Sequence, residues 1–316
     1  MTDAPFEPVS DLLDLLDLRE VEPVTVTVQP TQDDHPAELA PTAARVFVGS
    51  SQKQRYQRIF GGQLLAQGII AAARTVTPAD PNPAGGGRPI HSLHTAFLAS
   101  GSDTADVHYV VEPLGDGRSF STRRILAVQD GRLLATLTAS FQEASPGLEH
   151  HDPMPTVPAP ERLKDVAAAL DGIPGPYAVV CILEGPIELR HVEGNLYAGP
   201  GPEQTPDQSV WLRSRRQLPD DPTIHAAFLA YSTDYSILEP VLRAHGVSWA
   251  DPRLRQASLD HAIWFHRPAR ADEWVLHAGH SPSASGGRGL GIGSLYAVDG
   301  RLVATVAQEG MLRLKG

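Results

Sequence analysis

Near the end of the chain, Asp299-Gly300 precedes Leu302-Val303-Ala304-Thr305-Val306-Ala307-Gln308-Glu309-Gly310. Asp-Gly supplies the positive φ of a hairpin turn, and the residues after it alternate as in a strand. Leu302, Ala304, Val306 and Gln308 share one face, so Gln308 extends an apolar row. A buried amide without partners costs about 1–3 kcal/mol, and one that is held in place can donate to or accept from a reacting group. The stretch has a twin at an offset of 169, Asp130-Gly131-Arg132-Leu133 onward, with Ala139 where the second copy has Gln308.

Other chemistries find less support. None of the thirteen histidines forms a Cys/His set with zinc spacing. His261 and His266 have opposite parity on one strand, as do His91 and His94, and His150-His151 reads as solvated. No metal site and no cofactor are expected. Gly286-Gly287-Arg288-Gly289-Leu290-Gly291 lacks the strand-then-helix context of a phosphate loop and reads instead as bulged or closely approached backbone. A covalent serine route would want a Gly-x-Ser-x-Gly elbow, which the chain lacks.

The elements around these residues form a repeat. Phe60 to Ala73 is apolar almost all round and rich in small residues, as in a helix buried on most sides. Strand patterns follow at Ile90–Phe97, Ala105–Leu114, Ser119–Val128 and Arg132–Gln142. Five prolines between residues 143 and 160 mark a linker, and Glu161–Leu170 reads as a short helix. The second unit has strand patterns at 177–183, 187–192 and 208–213, then a helical His225–Tyr231. A central helix is expected from Thr233 to Leu242, with Pro240 in its first turn or at a kink. Strands follow at 257–267, 273–280 and 293–298, and then the final strand. Before the first unit, Leu12, Leu15 and Leu16 share one face of a short helix, 24–28 alternates like a strand and 29–41 reads as a loop. The expected fold class is α+β, a long buried helix wrapped by an antiparallel sheet, twice. The division is residues 1–145, a linker at 146–175, and 176–316.

At 316 residues and 41% hydrophobic content the chain can bury a large core. A net charge of −11 without a basic patch argues against nucleic acid. Cys181 is the only cysteine, which fits a reducing compartment. No apolar run approaches about 18 residues, so stable membrane insertion is not expected. The acidic start does not read as a signal peptide, nor Arg313-Leu314-Lys315-Gly316 as a peroxisomal address. A cytoplasmic location is expected.

The chain resembles the type II acyl-CoA thioesterases, the TesB-like family, from about Phe60 to Met311. The motifs that carry the likeness are Phe60-Gly61-Gly62-Gln63-Leu64-Leu65-Ala66-Gln67, His91-Ser92-Leu93-His94 and Asp116-Gly117-Arg118-Ser119-Phe120-Ser121-Thr122-Arg123-Arg124 in the first half. In the second they are Ala230-Tyr231-Ser232-Thr233-Asp234, Ser258-Leu259-Asp260-His261 to Arg267, Ser283 to Gly289, and Gln308-Glu309-Gly310. Residues 24–58 depart from it, being longer than and unlike the usual approach to the Gly-Gly-Gln motif. The resemblance implies a double hotdog that hydrolyses acyl-CoA, with the catalytic roles falling on Asp234, Ser258 and Gln308. Asp234 can be the base for a water, although an Asp at a helix boundary is equally an N-cap. Ser258 can orient that water or simply bond backbone, and Gln308 can hold the water or the carbonyl oxygen.

Gly62, Gln63, Arg123, Arg124 and Arg288 are the candidates for substrate binding, the arginines because CoA carries phosphates. Each arginine also reads as an ordinary surface charge. In the first unit Ser258 aligns with Ser92, Asp234 with Gln63 and Gln308 with Ala139, so one active centre per chain is expected. The competing readings are an acyl-CoA hydratase and a non-catalytic acyl-CoA sensor. The expected partners are acyl-CoA and a second copy of the chain, in a homodimer or higher oligomer through exposed sheet edges.

Overall fold

The computed structural model describes residues 8–22, 26–28, 37–39, 44–54, 57–76, 87–170 and 185–316. The strand expected at 177–183, Cys181 and part of the expected 29–41 loop lie outside them. Helix α1 (Pro8–Leu16) buries Leu12, Leu15 and Leu16, as the leucine spacing predicts. Strand β1 (Arg19–Val21) follows, and then a two-stranded ladder of β2 (Val26–Val28) and β3 (Ala37–Leu39). β3 falls where a loop was expected, because Ala37-Glu38-Leu39 pairs with the alternating strand that precedes it.

The first repeat consists of β4 (Arg45–Gly49), α2 (Gly61–Ala73), β5 (Ile90–Phe97), β6 (Val107–Asp116), β7 (Phe120–Gln129) and β8 (Arg132–Gln142). Helix α2 is buried from Gly62 to Ala72, which is why its sequence has no polar face. The expected helix at 161–170 is broken into a 3₁₀ turn, Pro160–Arg162, and α3 (Val166–Leu170). Next come β9 (Ile187–His191), β10 (Asp207–Ser214), α4 (Pro222–Thr233) and α5 (Glu239–Ala244). The chain ends with β11 (Leu254–Ser258), β12 (Asp260–Phe265), β13 (Val275–Ser285), β14 (Arg288–Ala297) and β15 (Leu302–Leu314).

Two expected boundaries fail here. Thr233 ends a helix instead of starting one. Asp221 caps α4 by accepting from the Thr223 amide at 2.8 Å, with Pro222 in the first turn. The second central helix is the short α5, and Pro240 does sit in its first turn. The single strand expected over 257–267 is two, β11 and β12. The Gly-rich stretch is a hairpin turn: Gly286 and Gly287 have φ of 58° and 75° and join β13 to β14. Its glycines also admit a close neighbour, since a Cβ at Gly291 would lie 1.9 Å from the Ile237 carbonyl oxygen.

Thirteen of the described strands form one sheet, in the order β1-β4-β6-β7-β8-β5-β12-β15-β14-β13-β10-β9, with β11 pairing β15. Read outward from the central β5–β12 pair, the two sides repeat: β5-β8-β7-β6-β4 on one, β12-β15-β14-β13-β10 on the other. Each side has one strand, a helical segment and then four strands, which is the double hotdog. One core runs through both, from Phe47, Leu65 and Tyr109 to Phe228, Ile263 and Val306. The twin Asp-Gly turns differ in detail. Asp130 and Gly131 both have positive φ, whereas only Gly300 does in the second turn. The longer second loop places a single left-handed residue before β15.

Candidate active site

Three elements of the second half bring three side chains together. Asp234 stands at the C-terminal end of α4, with φ −65° and ψ −16°. Ser258 is the last residue of β11, and Gln308 lies mid-way along β15. The Gln308 Nε2 donates to Asp234 Oδ1 at 2.9 Å and to Ser258 Oγ at 3.0 Å. Ser258 Oγ donates weakly to the same carboxylate oxygen at 3.4 Å. Gln308 is 1% exposed, while Asp234 and Ser258 are half-buried, so the group opens to solvent on one side.

The first half contributes the fourth contact. The Gly62 amide, at the start of α2, donates to Asp234 Oδ2 at 2.8 Å. Asp234 therefore caps a helix, but not its own: it fills the N-terminal end of α2, where unpaired N–H groups and the positive end of the helix dipole meet an anion. Glycine is needed here. A Cβ at Gly61 would lie 2.7 Å from Asp234 Oδ2, and one at Gly62 would lie 2.6 Å from the Tyr231 carbonyl oxygen.

A β-bulge aims Ser258. Ser258 pairs with Gly310 and Ala262 with Ala307, so four steps along β11–β12 match three along β15. The extra residue cancels the alternation between Ser258 and His261. Both face Gln308, with His261 Nδ1 2.5 Å from Gln308 Oε1. Strict parity had put His261 on the opposite face from Ser258, and the sequence gives no sign of the bulge. His261 is the residue that reading the sequence missed. It is fully buried, and that burial pushes its pKa below the ordinary imidazole value, against the opposing pull of Asp234 and of the Gln308 hydrogen bond.

The ladders also correct an alignment. Gly310 and Phe141 are twins at the offset of 169. Ser258 pairs with Gly310 and Ile90 with Phe141, so the counterpart of Ser258 is Ile90 and not Ser92.

The remaining candidates are dispersed. Gln63 is fully buried: its Oε1 accepts from the Gln52 amide at 2.9 Å and its Nε2 donates to Gln67 Oε1 at 3.1 Å. Arg123 is 2% exposed, and its guanidinium donates to Asp116, the Thr75 hydroxyl and the Thr75 carbonyl. That overturns its reading as a free surface charge; it ties β7 to the end of α2. Arg124 pairs with Glu112, and Arg288 with Glu309 at 3.0 Å. Each keeps about half of its side chain exposed. Among the described residues no group of acidic, His or Cys side chains could hold a metal ion.

Farther along β11 and β15 lies a groove of about 340 Å³, which Asp234, Ser258 and Gln308 do not line. Val241, Val247, Leu254, Leu312 and Leu314 line it, together with Arg288.

The chain is similar to known proteins. A family described as acyl-CoA thioesterase matches residues 190–311, and the acyl-CoA thioesterase N-terminal domain matches residues 50–142. Acyl-CoA thioesterase 2 of Haemophilus influenzae is 36% identical over 272 residues, covering 85% of this chain and 92% of its own. The chain belongs to the acyl-CoA thioesterase family.

Human acyl-coenzyme A thioesterase 8 is 37% identical over 294 residues, 88% of this chain and 87% of that one. The crystal structure of acyl-CoA thioesterase II TesB2 from Mycobacterium marinum superposes with a TM-score of 0.71 at 36% identity, covering 96% of this chain and 99% of that one. A hot dog protein from Alicyclobacillus acidocaldarius, 18% identical with a TM-score of 0.70 over 97% of this chain and 99% of that one, shares the fold. Within this acyl-CoA thioesterase, Asp234, Ser258 and Gln308 fall in the 190–311 match and Gly62 in the N-terminal-domain match.

Proposed function

We propose that this protein hydrolyses fatty acyl-CoA to a free fatty acid and CoA by direct attack of water. The observation that carries the reading is the meeting of Gln308 with Asp234 at 2.9 Å and with Ser258 at 3.0 Å on the open side of a buried core. Thioester hydrolysis needs a base, a means of orienting the water and donors for the developing oxyanion. Asp234 takes the proton of a water that Ser258 and Gln308 orient. The water oxygen bonds to the carbonyl carbon, the C–S bond then breaks, and the CoA thiolate leaves and takes the proton back from Asp234. The products are a carboxylic acid and a thiol, so the balance needs water alone.

The apolar groove beyond Ser258 suits a fatty acyl arm over a polar one. Arg124, half-exposed, is the arginine left for the phosphates of CoA, since Arg288 lines the groove given to the acyl arm. One centre acts per chain, because the positions matching Asp234, Ser258 and Gln308 hold Gln63, Ile90 and Ala139. We further assign residues 1–145 to the N-terminal hotdog, 146–175 to the linker and 176–316 to the catalytic hotdog. No described helix is long and apolar enough to cross a membrane. We assign the protein to the cytoplasm, as a homo-oligomer paired through exposed sheet edges.

Thiol release from acyl-CoAs of several lengths, with wild type and Asp234→Ala, tests the reading. Turnover that needs Asp234 and releases thiol supports it. Binding without turnover, or hydration without thiol release, overturns it. Trapping an acylated Ser258 would replace the water route with a covalent one.

A further inference from the structure

We propose that His261 is a positioning residue that locks the Gln308 amide in its working orientation, resting on the hydrolase reading above. A glutamine side chain can rotate by half a turn and exchange its oxygen with its nitrogen. Here the two ends face different chemistry. One side meets Asp234 Oδ1 and Ser258 Oγ, and the other meets His261 Nδ1. Only with the nitrogen toward Asp234 does the amide donate to the carboxylate. The reverse orientation sets two oxygens against each other. An N–H on His261 Nδ1, 2.5 Å from Gln308 Oε1, makes the productive orientation the one that satisfies both ends.

The imidazole is itself fixed. His261 is 0% exposed, and its Nε2 lies 3.3 Å from the Thr233 hydroxyl. Thr233 immediately precedes Asp234, so the contacts form a closed ring: Asp234, Gln308, His261, Thr233 and back through the backbone. Burial keeps the ring neutral, which leaves a single proton whose position matters. Held on Nδ1, it fixes Gln308 and leaves Nε2 bare; the Thr233 hydroxyl, which donates to the Ala230 carbonyl at 3.0 Å, then shares its one proton with Nε2 at 3.3 Å. Fully buried, His261 acts through the amide, as outer contacts act through the ligands that they orient.

Two measurements on the full-length chain test this. The first needs no variant and no turnover. The ring-nitrogen NMR signals of His261, assigned by their loss in His261→Asn, should show the proton on Nδ1 and bare Nε2. A proton on Nε2 with Nδ1 bare would overturn the proposal whatever the enzyme hydrolyses. The second is steady-state thiol release. His261→Leu should lower kcat about tenfold or more with KM little changed. His261→Asn, whose amide nitrogen stands close to where Nδ1 stood, should recover most of that loss. A folded His261→Leu with wild-type kcat, or a His261→Asn no better than His261→Leu, would equally overturn it. Should His261→Leu not fold, the tautomer decides alone. Should the wild type release no thiol, the hydrolase reading fails while the tautomer still reports on the lock.

Discussion

Gly62 and Asp234 lie 172 residues apart in sequence and are joined by a hydrogen bond of 2.8 Å. The donor is at the head of the first half's buried helix, and the acceptor is the carboxylate assigned as base in the second. The proposed site thus belongs to the junction between the halves, even though the three side chains proposed as catalytic come from one of them.

Asp234→Asn keeps the shape of the side chain and removes the base. kcat should fall by about 10²–10⁴, the range for general-base catalysis, with KM nearly unchanged. Thiol release measured against substrate concentration separates the two parameters. An Asp234→Asn variant within a few-fold of wild type would take the base role from this residue.

Gln308→Ala and Ser258→Ala should each lower kcat by about 10²-fold, and the double variant should cost less than the product of the two. The same amide nitrogen contacts both partners, so removing it already disarms Ser258. Independent, multiplicative losses would mean that the two groups do not hold the same water.

Gly61→Ala and Gly291→Ala should part company. A Cβ at Gly61 presses on Asp234 Oδ2, which can give way, so kcat drops by about 10²-fold while the melting temperature hardly moves. A Cβ at Gly291 meets the Ile237 backbone oxygen, which cannot, so that variant loses more than about 3 kcal/mol or fails to fold. Thermal melts beside kinetics distinguish them; a Gly61→Ala enzyme of normal kcat would loosen the link between Asp234 and α2.

Stability should fall on acidification below pH 6.5. Burial holds the His277 ring at about 4, and its Nδ1 lies 2.8 Å from the Ser236 hydroxyl. Between these values the unfolded chain takes up a proton that the folded one refuses. The stability present above pH 6.5 is therefore lost as pH falls toward 4, by about 3 kcal/mol for this group. His261, lowered in the same direction, adds to it. Urea unfolding of wild type and His277→Asn at several pH values should show the gap between them narrowing as pH falls; a constant gap would mean that His277 does not titrate in this way.

Arg123→Met should lower stability by about 1–2 kcal/mol, because it removes the hydrogen bonds that the buried guanidinium donates to Thr75 and to the half-exposed Asp116. KM for acyl-CoA should not change. A raised KM at unchanged stability would return Arg123 to the substrate.

The repeat was legible because hydrophobic period and turn chemistry are local. Ile90–Phe97 and Arg132–Gln142 match their strands residue for residue. Gln308 stood out because an amide in an apolar row has to be explained. The features that escaped are the ones set by distant partners. The bulge after Ser258 depends on pairing with β15, so simple alternation does not place His261 on the face of Ser258. α4 ends at Thr233, where a helix start is expected, and nothing local in the sequence marks that end. Arg123 looked like a surface charge because nothing nearby in sequence announces that Thr75 will meet it.

Gln63 and Gln67 give the first half a settled employment. The Gln63 amide and its neighbour Gln67 bind the Ser50 carbonyl, and Gln67 also reaches the Leu15 carbonyl, so together they fasten the N-terminal arm to the body. Restoring a second reaction centre there would demand an acid, a hydroxyl and an amide at Gln63, Ile90 and Ala139 at once. Until all three were in place, each step would bury an unmatched polar group or release the arm. No single substitution would therefore build a second centre, and the first half's share in the proposed site remains the Gly62 amide.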